Sequence, residues 1–186
     1  MNKKIIGVVA CSAVAASMAI GASASDELIK VGYAQVGHES DWRTANTQNY
    51  QDVFSEENGY ELSFVDCDND NAAQIEAVRN FINQELDYIV IAPIQSAGWD
   101  TVLQEAQDAG IPVIIADREI EASEDLYDAW VGTNTTNEGI TAGNWLAEYM
   151  DGKEANILVI EGSVGASAAL GRTDGFNQVA ADHDER

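Results

Sequence analysis

In a chain of 186 residues that holds nine Lys+Arg against 32 Asp+Glu, each arginine needs a reason, and three stand where strands should open onto loops. Asp117 and Arg118 end the aliphatic run in "VIIADRE", Arg43 closes "QVGHESDWR" four residues after Glu39, and Arg172 follows the glycine-bearing turn "EGSVGASAALGR". A planar guanidinium oriented by a carboxylate can make paired hydrogen bonds to vicinal hydroxyls of a ligand. Trp42 could offer its ring to the C–H face of a sugar, or it could pack the first helix against a sheet. Asn134, which follows a further strand-like run, would add an amide. A lone exposed acid–base pair contributes little, so the chemistry depends on Glu39, Trp42, Arg43, Asp117, Arg118, Asn134 and Arg172 meeting at one place.

The elements that would bring them together are legible as an alternation of short β-rich runs with helical patterns, the sign of βαβ units and a parallel sheet. Strands are expected at residues 28–34, 61–65, 86–92, 112–116, 127–132 and 155–160. Helices are expected at 42–57, through Ile75, Val78, Phe81 and Ile82, at 99–109 ending on Gly110, at 137–150, and after the glycine turn. The run "LDYIVIA" is nearly all apolar, as in a strand covered on both faces. In open parallel sheets ligands bind outside the carboxyl ends of the strands, and each candidate residue lies just after such an end. Trp99, Trp130 and Trp145 are expected to pack in the interior, and Cys67 is expected to serve as a small apolar residue near a strand end.

Composition excludes several roles. A net charge of -23 argues against nucleic acid and anionic membrane surfaces as partners, because both demand cationic patches. The first turn "QVGHES" lacks GxGxxG and carries an acid where a pyrophosphate would lie, and "GSVGASAAL" lacks the Lys-Ser/Thr of a phosphate loop, which removes nucleotide enzymes. "DCDNDN" spaces Asp66, Asp68 and Asp70 as a calcium loop would. The required glycine is replaced by Asn71 and the twelfth position is Ala77, so a turn and helix N-cap are expected instead, with no metal.

The chain begins with a basic start, an apolar small-residue middle and Ala22-Ser23-Ala24, the pattern of a cleaved secretory signal over residues 1–24. This implies a periplasmic or cell-surface location; lipidation at Cys11 is the lesser alternative, and after cleavage Cys67 stands alone. The last expected strand and helix cannot bury their faces by themselves, so the chain is expected to be a fragment that stops inside a βαβ array.

Three stretches, "IKVGYAQVGHESDWRTANT", "YIVIAPIQSAGWDTVLQEAQDAGIPVIIADRE" and "EGSVGASAALGRTDGF", resemble the periplasmic sugar-binding proteins of ABC importers with the type I, ribose- and galactose-binding fold. The similarity is greatest to the galactofuranose-binding branch, where "QVGxESxWR", "IAP" then "GW", "DR" and "GxxGASxxxxRxxGF" recur in this order. The resemblance implies an α/β fold: an open parallel-sheet, Rossmann-like lobe of a two-lobe binding protein, over residues 26–133, with 134–186 opening a truncated second lobe. It implies sugar contacts from Glu39, Arg43, Asp117, Arg118 and Arg172. At Asn134 relatives usually carry Asp followed by Asn or an aromatic residue, whereas this chain reads "TNTTNEG", which leaves the exact sugar open. The implied protein is a non-enzymatic monomer without cofactor that captures a monosaccharide and delivers it to an ABC permease. The alternative is an exported sugar-sensing module that presents its ligand to a membrane chemoreceptor or sensor kinase.

Overall fold

The computed structural model describes residues 27–183, so the signal-like segment 1–24 with Cys11 lies outside the described residues. Strands β1 (Ile29–Gln35), β2 (Tyr60–Asp66), β3 (Tyr88–Ile91), β4 (Val113–Asp117) and β5 (Ala129–Gly132) form one sheet in the order β2-β1-β3-β4-β5. Every neighbouring pair is parallel, with Ile29 opposite Tyr60, Val31 opposite Tyr88, Ile89 opposite Val113 and Ile114 opposite Ala129. Helices α1 (Asp41–Val53), α2 (Asn71–Asn83) and α3 (Asp100–Asp108) are the crossovers, and α4 (Thr135–Met150) and α5 (Ser167–His183) complete the described chain. Among the described residues no helix is long and apolar enough to cross a membrane.

The expected alternation holds for five strands, and fails at the sixth. Residues 155–160 pair with no strand among the described residues, and Leu158 and Ile160 are 89% and 90% exposed. β-propensity selects residues that suit a pleated surface, but a strand forms only when its N–H and C=O groups find a partner. No described segment supplies that partner.

The core follows from the aliphatic strand ends and the faces of α2 and α3. Ile89, Ile91, Ile115, Val78, Phe81 and Leu103 are all buried. Gly32 in β1 is small because α2 sits directly on it: a Cβ there would lie 2.6 Å from the Phe81 ring. Gln74, fully buried in the first turn of α2, donates to the carbonyls of Ala34 (3.2 Å) and Ala92 (2.7 Å) and accepts from Ile94 N (2.9 Å). One side chain thus satisfies the backbone groups where β1 and β3 end, which buried polar groups require. Asp70 caps α2 through Ala72 N and Ala73 N, as expected of the "DCDNDN" turn. Cys67 is buried, and burial, followed by the charges of Asp66 and Asp70, pushes its thiol up to about 12. Trp99 is fully buried and donates to Gln95 O at 2.8 Å. Trp145 departs from expectation: it is 62% exposed and stacks on Tyr149 with ring centroids 5.2 Å apart. Among the described residues its helix packs chiefly on α5 rather than on the sheet. Trp130 in β5 is half-buried against the core.

Helices α4 and α5 meet by backbone contact. A Cβ at Gly139 would strike the carbonyl of Arg172, one at Gly175 the carbonyl of Thr136, and one at Gly143 would lie 2.8 Å from Val179 Cβ. Glycine is needed wherever two backbones approach this closely.

Candidate functional site at the sheet switch point

The strand order reverses between β1 and β3: the chain leaves β1 toward β2 on one side and returns to β3, β4 and β5 on the other. Loops at such a switch point diverge and leave a crevice, where ligands of open α/β sheets bind. The loop after β1 carries Glu39 and leads into α1 with Arg43; the loop after β3 begins at Ala92-Pro93; and β4 ends at Asp117-Arg118. Ser40 caps α1 by accepting from Arg43 N at 3.1 Å, which fixes the turn that presents both Glu39 and Arg43. His38 is tied to Asp66 at 2.8 Å, holding the same loop to the end of β2.

The polar side chains bridge this crevice. Arg43, 3% exposed, donates through Nη2 to Asp117 Oδ2 at 2.7 Å and through Nε to Glu39 Oε1 at 3.0 Å. Its Nη1 is buried and has no partner among the described residues. Burial alone would lower the pKa of this guanidinium, but the hydrogen bond and charge of Asp117, with those of Glu39, outweigh it and raise the value. Arg118 is held loosely, with Nη1 3.4 Å from Pro93 O and Nη2 3.7 Å from Glu39 Oε1. Its pKa is lowered, first by burial and then by the positive charge of Arg43, with a smaller push from Arg172. Two adjacent guanidiniums therefore carry donors that the protein does not fully use, and buried donors left unmet are costly.

Backbone geometry at Asp117 makes the convergence possible. Its φ is 66, and Arg118 N donates to Ala116 O at 2.8 Å, a tight turn centred on Asp117. A positive-φ turn of this kind is rare and strained for a residue other than glycine. The turn pushes the Asp117 carbonyl toward β5, where a Cβ at position 132 would strike it, so Gly132 is the matching residue. "VIIADRE" thus ends in an acid and a base because the strand terminates in a turn that aims consecutive side chains at the crevice.

The remaining expected residues fall around this core. Arg172, on α5, donates to Glu138 Oε2 at 2.8 Å and is 58% exposed. It bounds the cluster through its charge rather than by a bond to Arg118. Asn134 is the N-cap of α4 and accepts from Asn137 N at 2.9 Å, leaving its amide N–H groups for other partners. Asn134 and Glu138, with Asn137, Thr141, Ala142 and Trp145, border an open depression of about 640 Å³ on the flank of α4. Trp42 is 58% exposed and does not pack against the sheet; the Arg43 guanidinium carbon lies 4.9 Å from its ring centroid. Glu138 is not among the residues that the sequence singles out, although an acid in the first turn of a helix that follows a strand is a readable signal. The same holds for Gln35, a polar residue closing an apolar strand, which is fully buried beneath the cluster.

Residues 31–185 match the family model of the periplasmic binding protein domain. The galactofuranose-binding protein YtfQ of Escherichia coli (strain K12) is 41% identical over 177 residues, covering 95% of this chain and 54% of the relative. The crystal structure of a galactofuranose binding protein superposes with a TM-score of 0.78 at 40% identity, over 83% of this chain and 52% of that one. The fructose binding periplasmic domain of a hybrid two component system superposes with a TM-score of 0.74 at 28% identity, over 84% of this chain and 51% of that one. The chain spans about half the length of the curated relatives it matches.

Proposed function

We propose that this chain, which belongs to the periplasmic binding protein family, captures a monosaccharide of the galactofuranose, galactose or ribose type outside the cytoplasm and passes it to an ABC permease, without catalysis. The observation that carries this reading is the pair of underused guanidiniums at the switch point, above all the buried Nη1 of Arg43. Arg43, Arg118 and Arg172 are answered by Glu39, Asp117 and Glu138, so the cluster is balanced in charge. It suits a neutral polyol better than a sugar acid or phosphate, whose charge would go uncompensated.

On this reading Glu39, Arg43, Asp117, Arg118 and Arg172 hydrogen-bond the sugar, Asn134 contributes its amide, and Trp42 covers the C–H face. Residues 26–133 form the first lobe, 134–186 open the second, and 1–24 are an export signal that sends a monomeric protein to the periplasm or cell surface. Buried hydrogen bonds supply the selectivity, since a ligand that lacks a matching hydroxyl leaves charged groups unpaired.

The test is a thermal-shift screen of the complete gene product against pentoses and hexoses, followed by calorimetry on those that respond. Arg118→Ala is expected to weaken binding by at least about 1.5 kcal/mol, the lower end for a hydrogen bond to a charged group. Unchanged affinity removes Arg118 from the site, and a flat screen removes the sugar. A second reading, ligand presentation to a sensor kinase or chemoreceptor, is favoured by the likeness to a sensor's fructose-binding domain. Sugar-dependent stimulation of an ABC permease in proteoliposomes separates the two.

A further inference from the structure

Helix α1 delivers Arg43 to the crevice, yet it has almost no apolar surface with which to hold itself. Its sequence is "DWRTANTQNYQDV", and its two buried residues are Arg43 and Thr47. A helix normally takes its rotation and height from an apolar stripe. Here the carboxyl-terminal half is seated by aromatic contact, Tyr50 stacking on Tyr33 with centroids 4.1 Å apart and on Phe54 at 5.8 Å. Among the described residues the turn that bears Arg43 has no such aromatic anchor. In its place stands Gln35, fully buried at the end of β1. Its Nε2 lies 2.7 Å from Tyr33 Oη, 3.0 Å from Asn46 Oδ1 and 3.1 Å from Thr47 Oγ1, and its Oε1 accepts from Val36 N at 2.9 Å. Tyr33 Oη in turn donates to Asn46 Oδ1 at 3.0 Å.

We propose that Gln35 is the positioning residue for Arg43: its amide fixes α1 against the end of β1, through Asn46 and Thr47, so that the guanidinium meets Asp117 and keeps Nη1 turned into the crevice. Thr47 lies one helical turn after Arg43 and Asn46 lies three residues after it, so both share its face of the helix. A shift or rotation of α1 that breaks the Gln35 bonds also withdraws Arg43 from Asp117. Because Gln35, Tyr33 and Thr47 are buried, with Asn46 half-buried beside them, little water can substitute for a lost partner, which makes the arrangement sharply defined. Gln35 itself has no role toward the ligand. It acts through the arginine.

The experiment has two readouts on the whole chain. In the ligand-free protein the Nε–H resonance of Arg43, assigned by its disappearance in Arg43→Lys, is expected to shift and to lose protection from exchange in Gln35→Met. The Arg79 resonance, whose bonds to Glu105 are remote from this network, is expected to stay in place. Thr47→Val, which keeps the side-chain shape and removes one acceptor, is expected to give the same change in smaller measure and serves if Gln35→Met does not fold. An Arg43 resonance that is unmoved in the folded variants overturns the proposal.

The second readout rests on the sugar-capture reading and uses whichever sugar the screen identifies. Gln35→Met is expected to weaken its binding roughly tenfold, the scale of one misplaced hydrogen bond to a charged group. Combined with Arg43→Lys, it is expected to add almost nothing, because residues that act through one another are not additive. Losses that multiply in the double variant show that Gln35 only supports the fold. If no sugar binds the unaltered protein, the capture reading falls while the resonance measurement still decides the role of Gln35.

Discussion

The sheet body, from Ile29 to Gly132, and the helix pair α4–α5 are built on opposite kinds of contact. In the body, aliphatic side chains of β1, β3 and β4 meet α2 and α3 around one continuous core. The helix pair buries little apolar surface, with Val179 in α5 and Ala166 just before it among the buried residues, and holds together by glycines that let two backbones touch. The stretch between these helices, 155–160, leaves Ile157, Leu158, Val159 and Ile160 exposed. Burial of apolar area drives folding in the first case; the second relies on close fit with little area behind it. The candidate site lies where the two regions adjoin. Its firm half, Arg43 with Asp117, belongs to the body, and its looser half, Arg172 with Glu138, belongs to the helices.

The largest expected effect probes the core. Ile91→Ala should cost the sheet body about 2–5 kcal/mol in urea unfolding, the range for deleting most of a fully buried aliphatic side chain. Gly139→Leu should instead leave the sheet transition nearly unchanged while removing helical signal in far-UV circular dichroism. If both variants lower the same single transition equally, the two regions form one cooperative unit and the contrast collapses.

The junction between strand end and site comes next. Gly132→Ala forces a methyl against the Asp117 carbonyl and should destabilise by about 1–3 kcal/mol, as overpacking does. Asp117→Asn should cost a similar amount, about 1–3 kcal/mol, because it leaves the buried Arg43 charge less well matched. Wild-type stability in Gly132→Ala would show that the tight turn at Asp117 relaxes freely, and in Asp117→Asn that the Arg43 charge does not need the Asp117 carboxylate.

A smaller, chemical difference is expected at Cys67. With its pKa pushed up to about 12 by burial and neighbouring acids, the thiol should remain protonated near neutral pH and resist iodoacetamide until the body unfolds. Rapid alkylation of the folded protein would show that the body opens locally around β2.

The smallest effect belongs to the helices. Arg172 holds the Glu138 carboxyl below its ordinary value of 4.5. A depressed carboxyl contributes stability that is present above the ordinary value and is lost as pH falls through the lower folded value. The pair is exposed, so the contribution is slight. The α4–α5 transition should weaken modestly below pH 4.5, and Glu138→Gln should flatten that part of its pH profile. An identical profile in the variant would separate Glu138 from the acid response.

Much of this was open to reading from residues alone, for a local reason. The aliphatic runs, the glycine after α3 and the cap at Asp70 act within a few neighbours, so five strands and α3 could be placed with ends displaced by one or two positions, whereas α1 ends at Val53, four residues short of the expected 57. The arginines stand out because the chain has so few cations. Glu138 and Gln35 escaped because their significance lies in partners distant along the chain, Arg172 in one case and Thr47 in the other.

The amino-acid sequence by itself determined the alternation of strands and helices, the scarcity of cations and the placing of Glu39, Arg43, Asp117 and Arg118 after strand ends. Periodicity and backbone preference are properties of short segments, and they survive without knowledge of what surrounds them. Only the tertiary structure decided that "ANILVI" has no pairing partner among the described residues, that Trp145 is exposed, that Asp117 takes a positive φ beside Gly132, and that Arg43 keeps a buried donor unmet by any described residue. Each of those depends on which segments lie side by side, and a sheet's strand order is fixed by the packing of the whole.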